Sequence, residues 1–100
     1  MVGGRAVAPF TAAAAPSTST WDFSVELGVY FSTDAITATP TGGSSPFTYL
    51  WEPVSGDLVA GVTTDASTVM LSAAGTAGVI RCRVTDNNGV TAYTNYVSIS

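Results

Sequence analysis

The 100-residue chain contains no histidine, no lysine and no glutamine, and it has a single cysteine, Cys82. Without histidine it cannot build a serine triad with a histidine base or a metal site with histidine ligands. Without lysine it has neither a Schiff-base nucleophile nor a Walker-type phosphate loop. One cysteine cannot form an internal disulfide, and a zinc ion would lack ligands. We therefore expect Cys82 to be a core residue and the protein to bind no cofactor and no metal.

Charged residues are also scarce. Asp, Glu, Lys and Arg make up 10% of the chain, against about 25% in an ordinary soluble domain. The net charge is −4 and the cations are Arg5, Arg81 and Arg83, so nucleic acid and anionic membranes would be attracted weakly. No apolar run approaches the roughly 20 residues of a membrane span. The seven acidic residues are scattered over predicted turns and outer faces, without the pair that glycoside cleavage requires. The sequence predicts no enzyme, no nucleic-acid partner and no membrane partner.

The residues that are abundant favour β-structure. Apolar residues make up 46% and aromatic residues 10% of the chain, which suffices for one packed core, and 100 residues allow one domain. Fifteen Thr, eleven Ser and ten Gly are typical of strands and turns and suit exposed helix faces poorly. We predict an all-β fold with a neutral surface.

Residues 1–20 form a low-complexity segment rich in Ala, Pro, Thr and Ser. We predict an extended N-terminal arm, disordered alone and ordered by a neighbouring subunit, with a separate β-sandwich over 21–100 that stays folded without the arm. The arm would bury its larger apolar side chains in the partner, namely Val2, Val7 and Phe10. The alternative is a secretory signal, since Arg5 precedes an alanine-rich stretch, but Pro and Thr interrupt that stretch and it lacks Leu and Ile.

From Trp21 onward, apolar and polar residues alternate with a period of two, which indicates half-buried strands. The first predicted strand covers 21–31 and ends at the turn 32–34, and the second ends before the loop 42–46. Pro53 ends the third strand or places it at an edge. The predicted inward residues of these strands are Phe23, Val25, Leu27, Val29 and Phe31; Ile36 and Ala38; and Phe47, Tyr49 and Trp51.

The second half of the chain continues this pattern. Leu58-Val59 predicts a short edge strand, and further strands are predicted over 67–72 and 79–85. Asp86-Asn87-Asn88-Gly89 offers the positive φ values of a tight hairpin that leads to a last strand over 90–99. A change of apolar parity in that strand predicts a bulge near Thr94-Asn95. The predicted inward residues are Val69 and Leu71; Ile80, Cys82 and Val84; and Val97 and Ile99.

About seven short strands predict an antiparallel β-sandwich, since two half-apolar sheets can bury their faces only against each other. The segments 45–51 (SPFTYLW) and 78–86 (GVIRCRVTD) resemble the third and sixth strands of immunoglobulin-like domains, close to the bacterial and bacteriophage variety that includes polycystic-kidney-disease (PKD) type modules. This resemblance covers 22–100 and implies that Cys82 packs near Trp51. Two family features are missing, because the positions of the first cysteine and the corner tyrosine hold Ala38 and Ile80.

Some side chains have two interpretations. Trp51 could be a platform for carbohydrate, but it shares the predicted core face with Tyr49 and Phe47, which favours the core. Trp21 lies outside the parity of its strand, and it either anchors the arm against a partner or covers one end of the sandwich.

Polar residues near the predicted hairpin also have two interpretations. The turn 86–88, with Asp57 or Asp65, could supply oxygen ligands for Ca²⁺. A hairpin turn needs Asp and Asn for backbone reasons alone, so we favour the turn. Arg81 and Arg83 are predicted to point outward, and their expected cross-strand partners are Glu52 or Asp22.

A chemically inert sandwich with an attachment arm suits a protein that is used in many copies. We expect a non-enzymatic virion structural protein of a bacteriophage, either a capsid decoration protein or a tail or connector accessory. The arm and Trp21 would bind the major capsid protein or tail or connector subunits, in a homo-oligomeric or lattice-bound arrangement. The phage location is implied by the resemblance, because such domains recur in phage particles. The alternative is an Ig-like or PKD-like binding module of a bacterial cell-surface or secreted protein.

Overall fold

The computed structural model describes residues 9–24 and 30–100. Over these residues the chain forms short β-strands and no helix, so the predicted all-β fold is confirmed. Within the same ranges no helix is long and apolar enough to cross a membrane. The strands are β1 (Thr11–Ala15), β2 (Thr18–Ser19), β3 (Asp22–Ser24), β4 (Tyr30–Ser32), β5 (Ile36–Thr41), β6 (Thr48–Ser55), β7 (Val59–Ala60), β8 (Ser67–Thr68), β9 (Met70–Ser72), β10 (Gly78–Thr85), β11 (Thr91–Tyr93) and β12 (Val97–Ile99).

One layer of the fold consists of two antiparallel ladders that are joined where β4 leads into β5 and β8 leads into β9. In the first ladder β5 lies between β1 and β8, and in the second β4 and β9 lie between β3 and β7. Three residues separate β4 from β5, and Val69 alone separates β8 from β9. At this junction the Thr33 N–H donates to the Met70 carbonyl (3.1 Å). The two ladders are therefore consecutive parts of one layer.

The second layer is built around β10. This strand pairs antiparallel with β6 along one side and with β12 and β11 along the other, and β2 adds to β12 in parallel. The last predicted strand is divided at Thr94, whose N–H donates to the Cys82 carbonyl (2.9 Å) and whose hydroxyl accepts the Cys82 N–H (2.9 Å). This division occurs where the change of apolar parity predicts a bulge.

The two layers bury an apolar core between them. Burial alternates residue by residue along β10, where Ile80, Cys82 and Val84 are fully buried. Ile36 and Met70 of the first layer are fully buried as well. The other core residues are Ala14, Ala38, Trp51, Leu58, Ala60, Val97 and Ile99. The architecture is therefore that of a two-layer, sandwich-like β-protein.

Residues 9–20 belong to this sandwich, which corrects the predicted boundary after residue 20. β1 pairs with β5 in the first layer, β2 pairs with β12 in the second, and Ala14 of β1 is 5% exposed within the core. The composition of the segment concealed these strands, because pairing uses backbone N–H and C=O groups, which every alanine carries. The described part of the predicted arm is thus committed to the fold, and removing 1–20 would remove two strands.

The single strand predicted over 21–31 is a hairpin. β3 and β4 are antiparallel, and Phe23 lies opposite Phe31 with ring centroids 5.4 Å apart. The residues predicted inward between them, Val25, Leu27 and Val29, lie outside the described residues. The turn predicted over 32–34 is the junction between β4 and β5. Alternation cannot distinguish one long strand from two paired strands, because residues opposite each other share a face.

β8 and β9 present the opposite face from the one predicted. Thr68, Met70 and Ser72 are buried, whereas Val69 and Leu71 are half-buried. The two buried hydroxyls accept backbone N–H groups of neighbouring loop residues. Their polar atoms are therefore satisfied inside the fold, which removes the usual cost of burying Thr and Ser.

Candidate functional site

The residues predicted for the core, Tyr49, Trp51, Ile80 and Cys82, lie on two paired strands of the second layer. Trp51 on β6 is opposite Cys82 on β10, and its indole N–H donates to the Asp65 carbonyl (2.8 Å). Ile80 is fully buried, and Tyr49 is partly buried against the core. Burial raises the pKa of the Cys82 thiol from 9.0 to about 11, so the thiol is protonated and unreactive at neutral pH. These residues support the fold and offer no accessible chemistry.

Phe10, which the sequence assigned to a partner, is used within the chain. Its ring stacks on Phe47 with centroids 5.7 Å apart. It also lies against Gly43, whose φ of +69° favours glycine and where a Cβ would meet the ring at 2.9 Å. Val2 and Val7, the other predicted anchor residues, lie outside the described residues. Phe10 therefore has an internal packing role, and the anchor role predicted for it stays a prediction.

Trp21 also packs against the core of its own chain. Its indole N–H donates to the Thr76 carbonyl (2.9 Å), and its backbone N–H donates to the Ser100 carbonyl (3.1 Å). These bonds match the interpretation in which Trp21 covers the sandwich.

Asp86 organises the hairpin after β10. Its carboxylate accepts three backbone N–H groups: Oδ1 accepts those of Asn88 (2.9 Å) and Val90 (2.9 Å), and Oδ2 accepts that of Ser44 (3.2 Å). Both carboxylate oxygens therefore act in the turn, the interpretation favoured from sequence. Among the described residues no three Asp, Glu, His or Cys side chains are grouped as a metal site would require.

An open groove of about 420 Å³ lies elsewhere on the surface, lined by Pro16, Thr18, Ser19, Thr20, Asp34 and Ser100. Asp34 is the single titratable side chain in this lining.

A different surface combines charge with aromatic side chains. On the outer side of the second layer, Arg81 and Arg83 of β10 lie beside Glu52 of β6, and Arg81 also contacts two tyrosines after β10. We name this surface the arginine–tyrosine face; it comprises Glu52, Arg81, Arg83, Tyr93 and Tyr96. Strand alternation produces it, because the even-numbered residues of β10 are buried and the arginines point outward. Cross-strand pairing then sets Glu52 opposite Arg81 and Tyr93 opposite Arg83.

The two arginines of this face share one carboxylate. Arg81 Nε lies 3.9 Å from Glu52 Oε1, and Arg83 Nη2 lies 3.7 Å from Glu52 Oε2. Glu52, one of the two expected partners, therefore pairs with both arginines. Both distances exceed that of a hydrogen bond, and partly exposed pairs of this kind are screened by solvent. Two guanidinium groups and one carboxylate leave a local charge of +1 on a chain whose net charge is −4.

Two tyrosines complete the face. The Arg81 Cζ atom lies 4.0 Å from the centroid of the Tyr93 ring and 6.0 Å from that of Tyr96, a cation–π arrangement. Tyr93 is 47% exposed and Tyr96 is 56% exposed. Arginine stays protonated at all physiological pH values, so the face is suited to binding anions and aromatic or polar surfaces. Sequence reasoning missed both tyrosines, and the available signal was their position just after the strand that carries the outward arginines.

Fold and surface together define a small β-sandwich protein with an exposed, cationic and aromatic sheet face. A comparison of the chain with protein-family models, with curated proteins and with solved structures finds no significant match.

Proposed function

We propose that the chain is an immunoglobulin-like domain that serves as a non-enzymatic structural protein of a bacteriophage particle, on the capsid exterior or at the tail or connector. The order of strands in the two layers supports the immunoglobulin-like part of this proposal, and the phage location is what the resemblance of 45–51 and 78–86 implies. One layer runs β1, β5, β8 and, through the continuations β4 and β9, β7; the other runs β6, β10 and then β11 and β12. This order is similar to the four strands facing three of immunoglobulin-like sandwiches, and β2 and β3 are additions to that pattern.

The core supports the same proposal. Trp51 lies on the third strand of the family pattern (β6) beside Cys82 on the sixth (β10), and Ala38 on the second (β5) is buried where the family's other cysteine would stand. A buried alanine at this position packs into the core and cannot form the family's disulfide. The sandwich is therefore held by packing and hydrogen bonds in the described part of the chain.

The pairing of residues 9–20 changes which part of the chain would attach to the particle. Residues 9–20 pair within the sandwich and are therefore not a free extended arm. We assign attachment to the arginine–tyrosine face, and residues 1–8 keep the attachment role predicted from their sequence. Exposed tyrosine and arginine are the side chains that most often carry binding energy in protein interfaces.

Quantitative mass spectrometry of purified particles tests this function. Particles of the phage that carries this sequence should contain the chain at a fixed ratio to the major capsid protein. Recovery of the chain in the cell envelope or the medium, and its absence from particles, would contradict the proposal and favour a cell-surface or secreted binding module.

A second measurement addresses attachment. Particles that lack the chain should bind the purified protein again at the original ratio. A variant without residues 1–8 should bind the particles less tightly, and its melting curve would establish that it is folded.

A further inference from the structure

We propose that the arginine–tyrosine face is a docking site for a carboxylate-bearing segment of a partner protein. The chemistry of this partner follows from the charges and donors of the face. Its location, an acidic stretch of a neighbouring particle protein, rests on the proposed function.

The first argument is that the arginines of the face have unused hydrogen-bond donors. A guanidinium group carries five N–H donors in a planar fork. Glu52 approaches the two groups only to 3.7 and 3.9 Å. The Nε atom of Arg81 has no hydrogen-bond partner in the described part of the chain but is buried, so a partner would bind the other guanidinium nitrogens. A carboxylate of a partner can accept two parallel N–H bonds from one guanidinium group. Such bidentate pairs are among the strongest hydrogen bonds that arginine forms.

The Arg81 side chain is already held in place before a partner binds. The guanidinium group of Arg81 lies over the Tyr93 ring, with Cζ 4.0 Å from the ring centroid. Stacking of this kind restricts the side chain before a partner arrives, which lowers the entropy lost on binding. The two rings also supply exposed apolar area around the charge, and this combination is typical of the centre of a protein interface.

The charge of the face indicates the class of partner. Nucleic acid binding needs several cations to release counterions, and this face has two arginines on a chain of net charge −4. A single acidic segment of a protein needs to match a local charge of only +1. Because the rest of the chain is acidic, an acidic partner segment is directed to this face and repelled elsewhere, which gives orientation as well as attraction.

Glu52 makes the test sharp, because it competes with the partner's carboxylate. Glu52→Gln should raise the local charge from +1 to +2 and tighten binding a few-fold, whereas Arg81→Gln and Arg83→Gln should each weaken binding at least about tenfold. Asp57→Asn is the matched control, since it makes the same charge change as Glu52→Gln at an exposed acid outside the face. Melting curves of all four variants would establish that each is folded.

Two probes separate this inference from the proposed function. The first is a fluorescent deca-glutamate peptide, measured by anisotropy at low and at physiological salt, and the second is particles that lack the chain. The expected order of affinity for both is Glu52→Gln, then wild type together with Asp57→Asn, then the arginine variants. Failure of wild type to bind particles would refute the proposed function while the peptide still tests the face.

Three results would overturn the docking site. One is unchanged peptide affinity in the folded arginine variants. Another is equal tightening by Glu52→Gln and Asp57→Asn, which would indicate a net-charge effect. The third is displacement of the protein from particles by duplex DNA or dextran but not by deca-glutamate, which would indicate a nucleic-acid or glycan partner.

Discussion

Replacing Asn95 by alanine should destabilise the fold, although Asn95 itself is exposed. Its side-chain amide joins the two layers: Oδ1 accepts the Ala14 N–H (2.9 Å) and Nδ2 donates to the Ala14 carbonyl (3.2 Å). The amide therefore acts like one more residue of a β-ladder against the outer edge of β1. Asn95→Ala leaves both backbone groups of Ala14 without these partners at a position that is 5% exposed.

The size of the effect follows from those two groups. An unsatisfied buried donor or acceptor costs about 1 to 3 kcal/mol, and water can reach this exposed side of the fold, so we expect a total of about 2 kcal/mol. For a domain of this size that corresponds to a fall in melting temperature of about 8 to 16 °C. Asn95→Asp should lose less stability than Asn95→Ala, because its carboxylate still accepts the Ala14 N–H although it cannot donate to the Ala14 carbonyl.

Urea denaturation of the wild type and the variants is the appropriate assay, with Asn87→Ala as a control at an exposed asparagine in the hairpin turn. The midpoint of Asn95→Ala should fall while the slope of free energy against urea stays constant, since the same surface is exposed on unfolding. If Asn95→Ala and Asn87→Ala both remain within about 0.5 kcal/mol of wild type, the amide does not hold β1 to the second layer.

Four further predictions use the same measurements. Deleting residues 1–20 should prevent cooperative unfolding or lower its midpoint strongly, because it removes β1 and β2; an unchanged midpoint would restore the free-arm interpretation. Trp51→Ala should cost about 3 to 5 kcal/mol, the usual range for a large core aromatic, and near-wild-type melting would show that Trp51 is not in the core. Asp86→Ala should cost about 2 to 4 kcal/mol, because three backbone N–H groups lose a charged acceptor; an unchanged midpoint would show that the turn does not need the carboxylate. The Cys82 thiol, whose pKa is raised by burial to about 11, should resist dithionitrobenzoate at pH 8 until the chain unfolds. Because the folded state retains a proton that the unfolded state releases, the free energy of unfolding should fall as the pH rises from 9 to 11, and this fall should be smaller in Cys82→Ala.

The β-class and most of the core followed from side-chain alternation. Ile80, Cys82 and Val84 are buried and Arg81 points outward, as the period of two in this segment predicts. The hairpin at Asp86 also followed from its turn residues. These features are local, since they depend on residues that are neighbours in the chain.

The errors arose where a strand's position depends on residues far away in the chain. β1 has no alternating pattern, and it is a strand because β5 pairs with it and Asn95 satisfies its other edge. The inward face of β8 and β9 was predicted wrongly, and there the N–H of the buried Met70 donates to the hydroxyl of Thr33, 37 residues away in the chain. No window of a few residues contains such partners.

The sequence alone determined that this protein is a sparsely charged, all-β domain without histidine or lysine chemistry, because residue types and their alternation carry that information directly. Only the tertiary structure decided that the alanine-rich segment from residue 9 is part of the sandwich, and that Glu52, two arginines and two tyrosines meet on one outer face. The physical reason is that pairing between strands brings together residues that are not neighbours in the chain, such as Arg81 with Glu52 and Ala14 with Asn95. Both the edge of β1 and the arginine–tyrosine face exist only after that pairing.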